Sequence, residues 1–180
     1  KAKQEIYNLE SILSVNNAEG DIVRINSSPD TWVNVSETCF NLIKESLQVS
    51  SLTNGSFDIT VYPAVKLWGF TESEYKVPSE KELREALECI DYSKVLLDEE
   101  NTSVYVPKGT SIDLGGIAKG YIADRVADIF TSEGVTSALL DFGGNIRLIG
   151  AKPDDSKWKI GVKSPDSSSA YFASIKAADV

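Results

Sequence analysis

The segment SIDLGGIAKGYIAD, residues 111–124, holds the side chains of this sequence that are best suited to bind a ligand. A strand-like run leads into Gly115 and Gly116, and a helical pattern follows. First-turn N–H groups and the helix dipole favour an anion such as a phosphate, and glycines let it approach closely. Lys119 would add a charge, and Gly120 would leave the surface bare, although glycine inside a helix costs about 1 kcal/mol. A tight strand-to-helix connection with a glycine for packing is the alternative explanation.

Two further segments combine acids with glycines. In NGSFD, residues 54–58, Asp58 would either stabilise a turn after a helix end or serve a site. In DFGGN, residues 141–145, an ordinary hairpin is the simplest explanation. Asp58 and Asp113 both follow apolar residues beside glycines, an arrangement that can aim two carboxylates into one cleft.

Composition excludes several classes of function. Lys and Arg number 18 against 27 Asp and Glu, a net charge of −9, so nucleic acid and anionic membrane surfaces are not expected as partners. The sequence has no histidine, which excludes Ser-His-Asp and Cys-His nucleophiles and His-ligated metals within it. Cys39 and Cys89 lie in apolar helical patterns and are predicted to be buried thiols. No apolar run approaches the ~20 residues of a membrane-spanning segment.

The elements that must position these residues follow from hydrophobic periodicity and turn signals. Helices are predicted over 3–15, from the cap residue Ser36 to Asn54–Gly55, and from a Ser79–Glu82 capping box to Ile90. The alternation of Phe57, Ile59 and Val61 predicts a strand that Pro63 ends.

The second half of the sequence predicts mainly strands. They lie at 94–98, 103–107, 110–114, 158–162 and 171–180, with a hairpin around Gly143–Gly144 and a loop at 164–170. One helix has Ala118, Ile122, Val126 and Ile129 as its apolar stripe. Since neighbouring strands are joined by turns, we predict an α+β fold with a mainly antiparallel sheet and flanking helices. The length favours a single domain over residues 1–180, and we expect a piece of a longer chain.

Three segments in this order and spacing resemble the ApbE family, the FAD:protein FMN transferases once thought to act in thiamine biosynthesis. They are NGSFDITVYPAVKLWGF, SIDLGGIAKGYIADRVADIF and ALLDFGGNIRLIG, at residues 54–70, 111–130 and 138–150. The first two are specific to the family, and the third is supportive. The resemblance covers nearly the whole sequence and implies an ApbE-like fold.

The resemblance also implies a site and a reaction. Ser56, Phe57 and Asp58 would line an FAD site, Asp113 and Lys119 would contact the same nucleotide, and Gly116 would offer its carbonyl to Mg²⁺. A threonine hydroxyl of a target protein would attack the FMN phosphorus of FAD and expel AMP, with Mg²⁺ offsetting the phosphate charge.

The family pattern continues with a histidine segment and an Asp/Thr pair that are absent here. The general base and most metal ligands are therefore expected beyond residue 180, the catalytic residues of this sequence are unknown, and residues 1–180 alone are expected to show negligible transfer. A Mg²⁺-dependent FAD pyrophosphatase and a non-catalytic flavin-binding module remain alternatives. The family implies a location outside the cytoplasmic membrane, with lipoprotein anchoring as one form of it.

Overall fold

The structure is a computed structural model that describes residues 1–70, 75–166 and 171–180. It divides the chain into two units, and each is considered by itself. The central unit is Tyr7–Ala118, and the terminal unit combines Lys1–Ile6 with Lys119–Val180. The prediction of a single domain over residues 1–180 stays a prediction.

Helices and one small sheet make up the central unit. Two short 3-10 helices, Ile59–Val61 and Tyr92–Lys94, lie next to the candidate site. The other elements are α1 (Ala2–Leu13, which begins in the terminal unit), α2 (Asp21–Asn26), β1 (Trp32–Asn34), α3 (Glu37–Leu52), α4 (Tyr62–Leu67), α5 (Glu80–Leu87), β2 (Leu96–Asp98) and β3 (Ser103–Tyr105).

Strands β1, β2 and β3 form an antiparallel sheet in the order β1-β3-β2. Val104 at its centre pairs with Val33 on one side and Leu97 on the other. Val104 is fully buried, as are Ile22, Leu42 and Ile43 from the helices, so the core of the unit is formed by sheet and helix side chains together.

Local capping signals correctly predict where two helices begin. The Ser36 side chain accepts a hydrogen bond from the Cys39 amide, 3.2 Å, at the start of α3. Ser79 and Glu82 form a reciprocal capping box at the start of α5. Cys39 is buried, which raises the pKa of its thiol, whereas Cys89 is only half-buried, and both are free.

Two of the predicted strands are wrong. Residues 59–61 form a 3-10 helix that continues into α4, and Pro63 lies in the first turn of α4, where its missing N–H has no cost. Residues 110–114 have no strand partner among the described residues, although the Asp113 amide donates to the Ile59 carbonyl, 2.8 Å. The third predicted helix ends at Leu87, three residues before Ile90.

Among its described residues, the terminal unit contains one long helix and two antiparallel strand pairs, the first of which is a hairpin. Gly143 and Gly144 lie in the first hairpin loop, which the Phe142 amide closes by donating to the Asn145 carbonyl, 2.9 Å. This confirms the predicted hairpin. The elements are α6 (Ala118–Ser132, whose first residue belongs to the central unit), the antiparallel pair β4 (Ala138–Asp141) and β5 (Ile146–Ile149), and the antiparallel pair β6 (Trp158–Lys163) and β7 (Tyr171–Ala177).

The burial of α6 differs from the predicted stripe by one position. Ala123, Val126 and Ala127 are buried, whereas Ile122 and Ile129 are only half-buried. Of the predicted loop at 164–170, residues 164–166 follow β6 outside any strand, and residues 167–170 lie outside the described part of the chain. The α+β class with antiparallel sheets and helices is confirmed. No helix in the described ranges has the length and hydropathy to cross a membrane.

Candidate functional site

The first wall of the candidate site begins where α3 ends. Gly55 has φ +78°, and its amide donates to the Ser50 carbonyl, 2.8 Å, as in a left-handed helix cap. The Thr53 hydroxyl accepts the Phe57 amide, 3.1 Å. These contacts confirm the predicted helix end at Asn54–Gly55 and fix the direction of the chain through Phe57.

Asp58 joins two segments of this wall. Its Oδ1 accepts hydrogen bonds from the amide and the hydroxyl of Thr60, both 2.7 Å. Its Oδ2 accepts the amide of Tyr92, 3.0 Å. The carboxylate therefore caps the 3-10 helix Ile59–Val61 and holds the second 3-10 helix beside it. The turn-stabilising role considered from the sequence is present, and the same half-buried side chain lines the pocket.

Thr60 completes this link from inside the core. It is fully buried, and its hydroxyl accepts the Asp91 amide, 2.8 Å, while donating to Asp58. Asp91 in turn accepts the amide and hydroxyl of Ser93, 3.0 and 2.6 Å. The hydrogen bond from the Ser93 hydroxyl is the main reason that the pKa of Asp91 lies below its ordinary value.

The second wall is the turn Asp113–Gly116. The Asp113 amide donates to the Ile59 carbonyl, 2.8 Å, and its Oδ1 accepts the Gly115 amide, 2.8 Å. The Gly115 amide is therefore occupied within the protein. Among the residues that the structure describes, the Gly116 amide has no acceptor, and both glycines are exposed. Only one of the two amides expected to meet an anion is left for it.

The glycines of this turn serve close approach. Neither has a positive φ. A Cβ on Gly116 would lie 3.1 Å from Cε2 of the Phe57 ring, and one on Gly115 would lie 3.2 Å from Oδ1 of Asp113. The Phe57 ring thus packs against the bare α-carbon of Gly116, which brings the two walls together.

Between the walls lies a pocket of about 340 Å³ within the central unit. Its volume lies at the lower end of the usual range for small-molecule sites. Of the predicted site residues, the structure brings five together here, and Lys119, which is exposed on α6 in the terminal unit, is not among the lining residues. The lining residues are Gly55, Ser56, Phe57, Asp58, Val61, Ile90, Asp113 and Gly116.

The pocket offers oxygen ligands of the kind that Mg²⁺ prefers, but not a complete set. Asp58, Asp113 and the carbonyl of Gly116 are hard donors. Within the described ranges, however, no group of three or more acidic, cysteine or histidine side chains could hold a metal ion. These residues fit part of a Mg²⁺ site at most.

The sequence interpretation missed the residues that hold the first wall together. Thr60 and Ser93 each stand two positions after an aspartate that they contact. Such Asp-x-Ser/Thr spacing is typical of side-chain-capped turns and was the available signal. The pocket residues Val61 and Ile90 carried no chemical signal.

An acidic pocket at a glycine turn that leads into a helix, within an α+β fold of small antiparallel sheets, defines a class of protein with a cleft of small-molecule size. Comparison with known proteins makes this more specific. The model of the ApbE family matches residues 1–180, and the chain belongs to that family.

Individual relatives and solved structures support the same family assignment. The chain is 37% identical over 164 residues to an FAD:protein FMN transferase of Klebsiella pneumoniae, covering 90% of this chain and 50% of that protein. It is 30% identical over 184 residues to one of Treponema pallidum, covering 91% and 51%. The chain therefore spans about half the length of these curated relatives.

Among solved structures, the ApbE protein of Thermotoga maritima superimposes with a TM-score of 0.93 at 36% identity, over 99% of this chain and 58% of that one. The flavin transferase ApbE of Vibrio cholerae superimposes with a TM-score of 0.87 at 27% identity, over 99% of this chain and 59% of that one. The predicted fold and family are confirmed.

Proposed function

We propose that this chain is part of an FAD:protein FMN transferase, which moves FMN from FAD to a threonine hydroxyl of a target protein and releases AMP. The pocket between Phe57 and Gly116 is the observation that carries the proposal. It places an exposed glycine turn, with one amide that has no acceptor among the described residues, beside two carboxylates. The names of the relatives, FAD:protein FMN transferase, support the same reaction.

In this reaction the threonine oxygen attacks the FMN phosphorus of FAD. A phosphoester bond forms, the phosphoanhydride bond to AMP breaks, and the hydroxyl proton passes to a general base. The pocket residues bind and orient the dinucleotide, with the Gly116 amide donating to a phosphate oxygen. The chain has no histidine, and unperturbed carboxylates and lysines titrate far from neutrality at about 4 and 10, so the base is proposed to lie beyond residue 180.

We also propose that the transfer depends on Mg²⁺. The carbonyl of Gly116 would be one ligand, as the family resemblance implies, and most others would come from sequence beyond residue 180. The metal would supply charge stabilisation at the pyrophosphate. The contact of Lys119 with the same nucleotide is part of this proposal and rests on the resemblance alone.

The test is to incubate the chain, both as residues 1–180 and extended to the length of its relatives, with FAD, Mg²⁺ and a threonine-bearing acceptor. Covalent flavin fluorescence of the acceptor in a denaturing gel measures the transfer. We expect labelling with the extended chain only, and none after chelation or with the threonine replaced by alanine. An unlabelled acceptor with the extended chain would contradict the proposal, and labelling by residues 1–180 would contradict the placement of the base.

The same assay separates the alternatives. Release of free FMN and AMP without labelling would indicate a pyrophosphatase in which water replaces the threonine. Tight FAD binding with neither product would indicate a flavin-binding module.

We further propose, from the family resemblance, an extracytoplasmic location with a lipoprotein anchor. Fractionation of cells that carry the natural protein tests this, and recovery in the cytoplasmic fraction would contradict it.

A further inference from the structure

Asn26, the last residue of α2, makes a two-point contact with a distant backbone segment. Its Nδ2 donates to the Ile112 carbonyl, 2.8 Å, and its Oδ1 accepts the Ile112 amide, 2.8 Å. The side-chain amide therefore pairs with one residue as a neighbouring β-strand would, although Ile112 has no strand partner among the described residues. Both polar groups of a fully buried residue, Ile112, are satisfied by this one side chain.

The contact lies one residue before the wall that carries the pocket. Asp113 follows Ile112 directly, and its amide is bound to the Ile59 carbonyl, 2.8 Å. The chain that leads into the Asp113–Gly116 turn is thus held by Asn26 first and by Ile59 next. Asn26 itself is not among the residues that line the pocket.

We propose that Asn26 is a positioning residue for ligand binding, which sets the place of the Asp113–Gly116 turn relative to Phe57. The proposal rests on the proposed function, in that the ligand of the pocket is FAD. It adds a residue outside the pocket whose side chain acts through the backbone of Ile112.

The close spacing of the two pocket walls explains why the position of this turn matters. The virtual Cβ distance of 3.1 Å between Gly116 and the Phe57 ring shows that the two walls are already close. A shift of the turn by a few tenths of an ångström changes where the Gly116 amide and the Asp113 carboxylate point. Without Asn26, the Ile112 amide and carbonyl would be buried without partners, and the segment would move to find them.

Asn34 supplies a matched control. Its Nδ2 also donates to a distant backbone carbonyl, that of Asn101, 2.5 Å, but it lies on β1 and outside the pocket. The experiment measures FAD affinity by flavin fluorescence, and melting temperature, for the unaltered protein, Asn26→Ala and Asn34→Ala. Asn26→Gln is added because it keeps the N–H donor and the carbonyl acceptor of the side-chain amide but displaces them by one methylene.

We expect Asn26→Ala to weaken FAD binding more than fivefold and Asn34→Ala to leave it within twofold. A folded Asn26→Ala protein with a smaller loss, or an equal loss in Asn34→Ala, would overturn the proposal. If Asn26→Ala does not fold, the same fivefold criterion applies to Asn26→Gln.

A second readout does not need the ligand. Amide hydrogen exchange of Ile112, Asp113 and Gly115, whose amides are all hydrogen-bonded, should accelerate at least tenfold in Asn26→Ala, or in Asn26→Gln if the alanine variant does not fold, and stay unchanged in Asn34→Ala. Unchanged exchange there would refute the positioning role. Failure of the unaltered, extended protein to bind FAD would instead refute the proposed function, and the exchange measurement would still decide the role of Asn26.

Discussion

Two turns of this protein have nearly the same sequence but different hydrogen bonds and backbone conformations. Asp113-Leu114-Gly115-Gly116 lies in the central unit, and Asp141-Phe142-Gly143-Gly144 forms the β4–β5 loop of the terminal unit. In the first, the aspartate accepts the amide of the first glycine, 2.8 Å. In the second, it accepts the amide of the second glycine, 2.7 Å.

The two turns also require glycine for different physical reasons. Gly143 and Gly144 have φ of +71° and +96°, and a Cβ on either would meet nothing within 4 Å. Gly115 and Gly116 lack a positive φ, but a Cβ on either would meet an atom at 3.1–3.2 Å. The hairpin needs glycine for its backbone angles, and the pocket turn needs glycine for space. Only the second requirement indicates something that must come close.

The largest effect is expected for Gly116→Val. The added side chain would collide with the Phe57 ring and cover the unpaired amide. We expect FAD binding to weaken more than tenfold, a loss above ~1.4 kcal/mol, in a protein that still folds. Isothermal calorimetry with FAD measures it. Unchanged affinity in the folded variant would count against this pocket.

The converse is expected for Gly144→Ala in the hairpin. An alanine held at a positive φ is strained by about 1–2 kcal/mol, and no ligand is involved. Denaturant unfolding should show this loss, while FAD affinity stays within twofold. Weaker FAD binding in this variant would remove the distinction between the two turns.

Replacing each aspartate by asparagine tests the acids in the same way. Asparagine can still accept the glycine amide through its Oδ1, so both Asp113→Asn and Asp141→Asn should change the melting temperature little. We expect Asp113→Asn alone to weaken FAD binding, about fivefold or ~1 kcal/mol, because its second oxygen becomes a donor. Parallel loss of stability and affinity at Asp113 would favour a purely structural role.

Gly120 gives the smallest effect and a reference for both turns. It lies inside α6, lacks a positive φ, and has nothing within 4 Å of a virtual Cβ. Gly120→Ala should therefore stabilise the protein by a little under ~1 kcal/mol. A loss of stability in thermal unfolding would contradict the open space around this position.

The sequence predicted those features whose causes are local. Ser36 and Ser79 are capping residues a few positions from the amides that they bind, so the starts of α3 and α5 were predictable. The hairpin was predictable because its turn signal is two adjacent residues, Gly143 and Gly144. The family resemblance placed Phe57 and Gly116 in one site, but their direct contact was not predicted, because nothing in the spacing of residues 57 and 116 specifies it.

The wrong strand predictions fall where contacts with residues distant in sequence help to determine the backbone conformation. Alternation at 57, 59 and 61 favoured a strand, but the contacts of Thr60 with Asp58 and Asp91 stabilise a 3-10 turn instead. Residues 110–114 were predicted as a strand from their residue pattern and the turn signals before them, yet the backbone of Ile112 pairs with the side chain of Asn26. A periodicity argument contains no information about a partner 86 positions away.

That separation has a consequence for the order of folding. The pocket is complete only after chain loops of 34 and 86 residues have closed, between Asp58 and Tyr92 and between Asn26 and Ile112. Closure entropy must be overcome before such contacts stabilise anything, whereas the capped helices can form early. We expect that a ligand which recognises only the finished pocket binds after the main folding barrier has been crossed. It should slow unfolding and leave the refolding rate unchanged.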